Sequence, residues 1–179
     1  MIDARRYRVE ETLRNGVAVE IRAVRPEDRD RIAAAFRELD RESVYRRFFS
    51  YKRDLSAAEL AQIDTMDFVR DVMLVVTTCK GDDDILIASA RYIADDTDEG
   101  LIAEVAFTVE EDYQGLGIAR RLISHLATIA REFGVVGFTA EVLPQNKAML
   151  AAFAKCGLPM DQRRESGVVH VSMALGQPN

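Results

Sequence analysis

The chain has 179 residues, 48% hydrophobic and 30% charged, which predicts one soluble globular domain with a sizeable core. Its formal net charge of −6 argues against general nucleic-acid binding, because that function needs a basic face to neutralise phosphates. No stretch approaches the ~20 apolar residues of a membrane-spanning helix, and residues 1–7 lack the apolar run of a secretion signal. We therefore expect a cytoplasmic protein that binds neither nucleic acid nor membrane.

The N-terminal third predicts a strand hairpin followed by three helices. Asn15-Gly16 is a hairpin signal, since both residues tolerate positive φ, and residues 17–24 alternate as a strand. Residues 1–12 are expected to form a loose N-terminal arm. Three helix starts follow, at Pro26, near Asp40, and at Ser56-Ala57-Ala58-Glu59, which has capping-box spacing.

Three strands are predicted next, over 72–78, 85–93 and 101–109, because these segments are short, apolar and rich in β-branched residues. The acidic stretch 95–100 lies between the second and third of them. Its spacing misses the calcium-loop pattern, so it predicts a solvated turn. Cys79 and Cys156 are well separated and lack His partners, which predicts reduced thiols and no metal site.

A glycine-rich turn, Gln114 to Ala119, separates the third of these strands from an amphipathic helix that Gly134 ends. Amide groups at a helix start are unpaired and lie at the positive end of its dipole, so such a turn can hold a diphosphate. The spacing fits neither GxxxxGK[ST] nor GxGxxG. A strand over 135–143, a helix over 146–156 and two short strands around Gly167 complete one α+β domain.

The chain resembles the GNAT family of N-acetyltransferases. The turn reads Q-x-x-G-x-A, as in that family's pyrophosphate loop, and residues 103–109, 113–119 and 140–146 carry the most specific likeness. The resemblance implies one GNAT domain over 1–179, with a mixed, mostly antiparallel sheet flanked by helices, and acetyl-CoA as cosubstrate. Residues 43–49 resemble the bacterial protein lysine acetyltransferases that modify acyl-CoA synthetases. A lysine of such a synthetase is therefore one expected acceptor, and a homodimer is expected by analogy.

The resemblance also implies a cofactor site. Glycine-turn amides would hold the diphosphate, the strand before the turn would offer backbone groups to the pantetheine arm, and Asn146 would contact that arm, although it could equally cap the last helix. Arg120 and Arg121 could reach phosphate or be surface arginines. The implied cofactor-binding residues are Phe107, Thr108, Val109, Gln114, Gly115, Leu116, Gly117, Ile118, Ala119, Arg120, Asn146 and Phe153.

Deprotonation of the acceptor amine calls for a base, because a lysine-type amine with a pKa near ~10.4 is protonated at neutral pH. Glu104 is the first candidate: it is flanked by Ala103 and Val105 and matches the family's catalytic glutamate, although an edge glutamate facing water is the alternative. Glu141 ranks second, as a group that orients water or substrate. His125 and His170 are expected to be structural.

Phe153 stands where many family members have a tyrosine that protonates the leaving CoA thiolate. Without that hydroxyl, water would supply the proton or CoA would leave as the thiolate, which favours direct attack by the amine. Two alternatives stay open at this point. One is an acetyltransferase for a small amine such as a polyamine or amino acid, and the other is a non-catalytic module that senses acyl-CoA.

Overall fold

The computed structural model describes residues 1–48 and 54–176, apart from the side chains of Arg46 and Phe48. Within these ranges eight strands form one sheet. In chain order they are β1 (Arg8–Thr12), β2 (Ala18–Ala23), β3 (Asp71–Lys80), β4 (Asp83–Thr97), β5 (Gly100–Val109), β6 (Gly137–Val142), β7 (Met160–Glu165) and β8 (Val168–Ala174). Their order across the sheet is β1-β2-β3-β4-β5-β6-β8-β7. Neighbouring strands are antiparallel except β5 and β6, which are parallel. The predicted mixed, mostly antiparallel sheet is therefore confirmed.

The N-terminal segment is part of this sheet, so the expected loose arm is wrong. A short 3₁₀ turn, Ala4–Arg6, leads into β1 (Arg8–Thr12), which pairs along its whole length with β2 (Ala18–Ala23). The hairpin turn lies where Asn15-Gly16 predicts it, with Gly16 at a φ of 87°. Backbone pairing with β2 outweighs the polar composition that suggested an arm.

The three helices predicted after the hairpin are present. They are α1 (Arg29–Glu38), α2 (Arg41–Phe48) and α3 (Ala57–Thr65). The capping box of α3 forms as expected: the Ser56 hydroxyl accepts from the Glu59 N–H and the Glu59 carboxylate accepts from the Ser56 N–H. The block that suggested the lysine acetyltransferase subgroup runs past α2, and Phe49 lies outside the described residues.

The middle of the chain forms β3 (Asp71–Lys80), β4 (Asp83–Thr97) and β5 (Gly100–Val109). The acidic stretch is not wholly a turn, because β4 extends to Thr97 and Asp95 pairs with Ile102 of β5. Only Asp98 and Glu99 connect the two strands. A long antiparallel ladder thus overrides the turn composition of four residues of this stretch, Asp95, Asp96, Thr97 and Gly100.

The remaining elements follow the predicted order. They are α4 (Ile118–Glu132), β6 (Gly137–Val142), α5 (Lys147–Lys155), β7 (Met160–Glu165) and β8 (Val168–Ala174). The apolar stripe of α4 is buried, including Leu122, Leu126 and Ile129. No helix among the described residues is long and apolar enough to cross a membrane.

The sheet has two different faces. Ala90 and Tyr92 of β4 and Val105 and Phe107 of β5 point to one face, where they are buried with the apolar stripe of α4. The α1 and α3 helices lie over the other face, above residues such as Ala106. On that second face the end of the sheet formed by β6, β8 and β7 keeps many exposed side chains.

Candidate functional site

A cleft of about 570 Å³ opens where β5 and β6 part. The two strands pair only at three positions, the last being Glu104 with Thr139, while β5 continues to Val109 beside β4. Beyond Glu104 the β6 side of β5 therefore faces the cleft. The walls come from β5, the glycine turn, β6 and α5.

The backbone of β5 presents N–H groups to this gap. The N–H of Glu110 donates to the carbonyl oxygen of Ile87 in β4, at 2.9 Å. Because successive N–H groups along a strand point to opposite neighbours, those of Phe107 and Val109 point away from β4. Both residues line the cleft, and Thr108 between them lines it as well. The strands thus part in the way that the family resemblance implies.

The glycine turn takes a left-handed backbone at two positions. Gly115 has a φ of 77° and Gly117 a φ of 84°, a region that other L-residues rarely adopt. The Gln114 side chain fastens the turn to the end of β5, since its Nε2 donates to the carbonyl oxygen of Val109 at 3.0 Å. This conformation sets the start of α4 at the edge of the cleft.

The N-terminus of α4 has no side-chain cap. Gly117 occupies the N-cap position, and a glycine offers no oxygen to the amides that follow. The first backbone bond into the helix runs from Arg121 N–H to the Gly117 carbonyl at 3.1 Å. Within the described part of the chain, no acceptor is recorded for the N–H groups from Gly115 to Arg120. Together with the helix dipole, these groups could hold a diphosphate.

The opposite wall is α5. Asn146 caps this helix, because its Oδ1 accepts from the Met149 N–H at 3.3 Å, and it also lines the cleft. Within the described ranges, no partner is recorded for its side-chain amide nitrogen. Phe153 is only 1% exposed, and its ring packs edge-on against Phe107 with the centroids 5.7 Å apart. Phe153 therefore supports the cleft wall from within the core.

Glu104 lies at the fork between β5 and β6, where the parallel ladder ends. Its side chain is exposed and lines the cleft. The apolar neighbours that favoured it in the sequence do not surround it, since Ala103 and Val105 point to the buried face of the sheet. Its surroundings come instead from across the strands: Ile93 of β4 and Thr139 of β6.

Arg47 of α2 lies between the cleft and a smaller apolar pocket of about 190 Å³ under α1 and α3. Burial and the nearby charge of Arg91 lower the pKa of the Arg47 guanidinium, and the Glu104 carboxylate acts in the opposite direction. The two spaces also share Ala106 and Thr108 of β5. The small pocket therefore adjoins the cleft on the face that carries Glu104.

Glu141 of β6 is exposed at the cleft and lies across the strands from His170 of β8. The Nδ1 atom of His170 is 3.6 Å from Oε1 of Glu141. The antiparallel register thus brings His170, which the sequence predicts to be structural, beside the second-ranked carboxylate. The contact between Glu141 and His170 depends on the register of β6 and β8, which the positions of the two residues in the sequence do not predict.

The arginines of α4 have different surroundings. Arg120 is exposed at the cleft, with no acceptor recorded among the described residues. Arg121 is used within the fold: it donates to the Glu11 carboxylate at 2.5 Å and to the Thr12 carbonyl at 2.9 Å. His125 also contacts Glu11, at 2.7 Å, which agrees with the structural role expected for it.

Arg14 was missed by the sequence reasoning. It lies in the turn between β1 and β2, yet it lines the cleft beside Gly117. No local motif marks it, because its position depends on the packing of the hairpin against α4.

Cys156 is a free thiol whose Sγ donates to the Phe153 carbonyl at 2.9 Å. No cluster of His, Cys, Asp or Glu that could hold a metal ion occurs in the described ranges.

Comparison with known proteins identifies the family. A profile of the acetyltransferase (GNAT) family matches residues 33–158. The chain belongs to the acetyltransferase (GNAT) family. The resemblance carried by the sequence blocks is thereby confirmed, and the predicted enzyme class, an acetyltransferase that uses acetyl-CoA, agrees with it.

Several relatives are similar over most of this GNAT domain. The protein named Acetyltransferase Pat of Mycolicibacterium smegmatis is 34% identical over 157 residues, which are 88% of this chain and 46% of that protein. The structure of the GNAT domain of S. lividans PAT has a TM-score of 0.82 at 33% identity, covering 93% of this chain and 96% of the other. A cAMP-binding acyltransferase from Mycobacterium smegmatis has a TM-score of 0.65 at 30% identity, covering 97% and 48%. The chain spans about half the length of the two mycobacterial proteins.

Proposed function

We propose that this GNAT domain transfers an acetyl group from acetyl-CoA to the side-chain amine of a protein lysine. The observation that carries the proposal is the forked sheet: cleft-facing amides of β5, the uncapped start of α4 and a carboxylate at the fork all line one cleft. Direct transfer needs these three parts, which hold the acyl donor, orient its thioester and accept a proton.

The donor is assigned to the parted strands. The amides from Gly115 to Arg120 would receive the diphosphate, helped by the charge of Arg120. The pantetheine arm would run along β5, where its carbonyl oxygens would accept from the N–H groups of Phe107 and Val109. Asn146 would contact the arm from α5. An extended arm bonded in this way places the thioester near the fork, because the arm follows the strand back from the glycine turn.

The acceptor is assigned to the opposite side of the fork, on the face that carries Glu104. There the Glu104 carboxylate would first accept a proton from the lysine ammonium group, directly or through a water. The neutral nitrogen would then attack the thioester carbonyl carbon and lose its second proton to water. The bond from that carbon to sulfur then breaks. The sulfur keeps the electron pair and leaves as the CoA thiolate, whose pKa near ~8.5 makes it a tolerable leaving group. Glu141, with His170, would orient water or substrate at the mouth.

Two observations favour a protein acceptor over a small amine. Ile93 lies directly across from Glu104 and is 44% exposed, and among the described residues only Met1 and Val69 are other large apolar side chains exposed in this way. An exposed apolar group beside the base suits a protein surface or the stem of a lysine better than a highly solvated small amine. The resemblance of residues 43–49 to the bacterial protein lysine acetyltransferases points in the same direction.

An acceptor screen tests the proposal. Purified protein with acetyl-CoA is offered acyl-CoA synthetases, polyamines and free amino acids, and the released CoA thiol is followed together with the mass of each acceptor. We expect a mass increase on a synthetase lysine. Turnover with small amines alone would reject the protein acceptor, and acetyl-CoA binding without any turnover would indicate a sensing module.

A further inference from the structure

The hairpin turn between β1 and β2 is held against the start of α4. Within the turn, Leu13 N–H donates to the Val17 carbonyl at 2.8 Å, and Leu13 is 3% exposed. The end of β1 is bound to α4 through Glu11, whose carboxylate accepts from Arg121 and contacts His125. Burial by itself would raise the pKa of Glu11, but these two partners outweigh it and lower that pKa, so the link stays charged.

Arg14 extends from this turn over the glycine loop. A Cβ atom placed on Gly117 would lie 3.5 Å from Nη2 of Arg14, so the guanidinium covers the N-cap of α4. The side chain is exposed, and within residues 1–48 and 54–176 no hydrogen bond or ion pair is recorded for it. By contrast, Arg8, Arg22 and Arg31 from the same region are paired with carboxylates.

This placement is unfavourable for the protein alone. A cation at the N-terminus of a helix faces the positive end of its dipole, and the neighbouring amides carry partial positive charge as well. An anion between the guanidinium and the amides would be attracted by both, and this would offset their mutual repulsion. A phosphate also suits the planar fork of donors that an arginine presents.

We infer that Arg14 is a cofactor-binding residue, which donates to a phosphate group of acetyl-CoA from the side of the cleft opposite the loop amides. The inference rests on the proposed function, since acetyl-CoA is the anion in question. If so, the N-terminal hairpin forms part of the acetyl-CoA site. The contacts of Glu11 with α4 would then position Arg14 over the glycine turn. The phosphate is that of the diphosphate or that at the ribose 3′ position.

Isothermal titration with acetyl-CoA and with 3′-dephospho-acetyl-CoA tests the inference on Arg14→Ala and Arg14→Lys. We expect Arg14→Ala to raise the Kd for acetyl-CoA by about 10- to 100-fold, as for loss of a charge-assisted hydrogen bond. Arg14→Lys should recover part of that loss. In kinetics the KM for acetyl-CoA should rise while kcat at saturation stays within about twofold, which a purely structural role would not produce.

Arg164→Ala is the matched control, because Arg164 is an exposed arginine on β7, outside the cleft lining. A loss seen only with acetyl-CoA assigns Arg14 to the 3′-phosphate, and an equal loss with both ligands assigns it to the diphosphate. An Arg14→Ala Kd within about twofold of the wild-type value would overturn the inference and leave the proposed function intact. A wild-type protein that binds no acetyl-CoA would overturn both.

Discussion

The rings of Phe107 and Phe153 pack edge-on at an interplanar angle of 72°, joining the strand that faces the cleft to the helix that closes it. Phe107 is 9% exposed and Phe153 is 1% exposed, so the contact belongs to the core. The position at which many relatives are expected to carry a catalytic tyrosine is therefore occupied by a packing residue. Phe153 has no hydroxyl group, so the side chain at this position cannot protonate the leaving CoA thiolate.

Truncation of that ring is expected to be costly. Phe153→Ala should lower the free energy of unfolding by about 3 to 5 kcal/mol, because it leaves a cavity beside Phe107. It should also weaken acetyl-CoA binding, since α5 loses its anchor to β5. Urea unfolding and titration calorimetry measure the two effects. Phe133→Ala, which truncates a half-buried ring at the end of α4, should cost less and leave binding unchanged.

Glu104→Gln tests the proposed base. Turnover should fall by about 10²-fold or more, the range for a lost general base, while the Kd for acetyl-CoA stays nearly unchanged. Glu99→Gln is the control, because Glu99 is exposed in the turn between β4 and β5. Glu141→Gln should have a smaller effect than Glu104→Gln. Wild-type turnover in Glu104→Gln across the pH range would remove Glu104 from this role.

Gly117→Ala tests the phosphate cradle. An alanine is strained at a φ of 84°, which should shift the loop amides, so the KM for acetyl-CoA should rise at least about 10-fold. Gly134→Ala imposes a similar backbone cost at a φ of 80°, at the other end of the same helix and in open space. Both variants should lose about 1 kcal/mol of stability, but only Gly117→Ala should affect binding. Equal KM values for acetyl-CoA in Gly117→Ala and Gly134→Ala would contradict the assignment of the glycine turn as the phosphate site.

Ile93→Glu tests the acceptor side. The residue is exposed, so the melting temperature should change little, while the charge beside Glu104 should repel an acidic or apolar acceptor surface. We expect the KM for a protein acceptor to rise several-fold and that for acetyl-CoA to stay the same. Val69→Glu, at another exposed apolar side chain, indicates how far such a surface extends. A protein acceptor that is acetylated equally well by Ile93→Glu does not contact this residue.

A buried ion pair between Arg22 and Asp28 predicts the acid sensitivity of the fold. Burial alone would raise the pKa of Asp28, but hydrogen bonds from Arg22 and from the Arg25 N–H outweigh it and hold that pKa below its usual range. Since the folded pKa is the lower one, the stabilisation is complete above about pH 4 and is lost as the pH falls through the folded value.

Asp28→Asn should therefore cost about 3 kcal/mol at pH 7, because the buried Arg22 loses the carboxylate that accepts from two of its nitrogens and keeps only its ion pair with the less buried Glu20. The difference from the wild-type protein should shrink as the pH falls below about 4, because the unfolded chain then binds a proton at Asp28, and the folded protein does so only at a lower pH. Urea unfolding at several pH values measures both. Asp96→Asn, which removes an exposed partner of Arg70, should cost less than about 1 kcal/mol.

Local patterns predicted the parts of the fold that depend on local physics. The period of Leu122, Leu126 and Ile129 identifies α4, and Gly117 identifies its start, because helix formation and capping are decided within a few residues. The strand of Asp95 and the hairpin at residues 8–12 were misjudged. There the decisive contacts are ladder bonds to another strand, which composition does not report.

The candidate site shows the same division. The glycine turn is contiguous in the chain, so the sequence identifies it. Arg14 reaches it only because Glu11 is bound to Arg121, a contact over 110 positions. The surroundings of Glu104 were misjudged for a related reason: its sequence neighbours point to the other face, and its spatial neighbours are Ile93 and Thr139.

If the proposed donor site is correct, the coenzyme takes the place of a strand beside β5. Because β5 and β6 pair at only three positions, the pantetheine arm would supply hydrogen-bond acceptors along the open edge of β5. Binding should then slow amide hydrogen exchange at Phe107 and Val109 far more than at Thr108, which is already bonded to β4. This two-residue alternation in protection would distinguish strand-like docking from simple shielding by a bulky ligand.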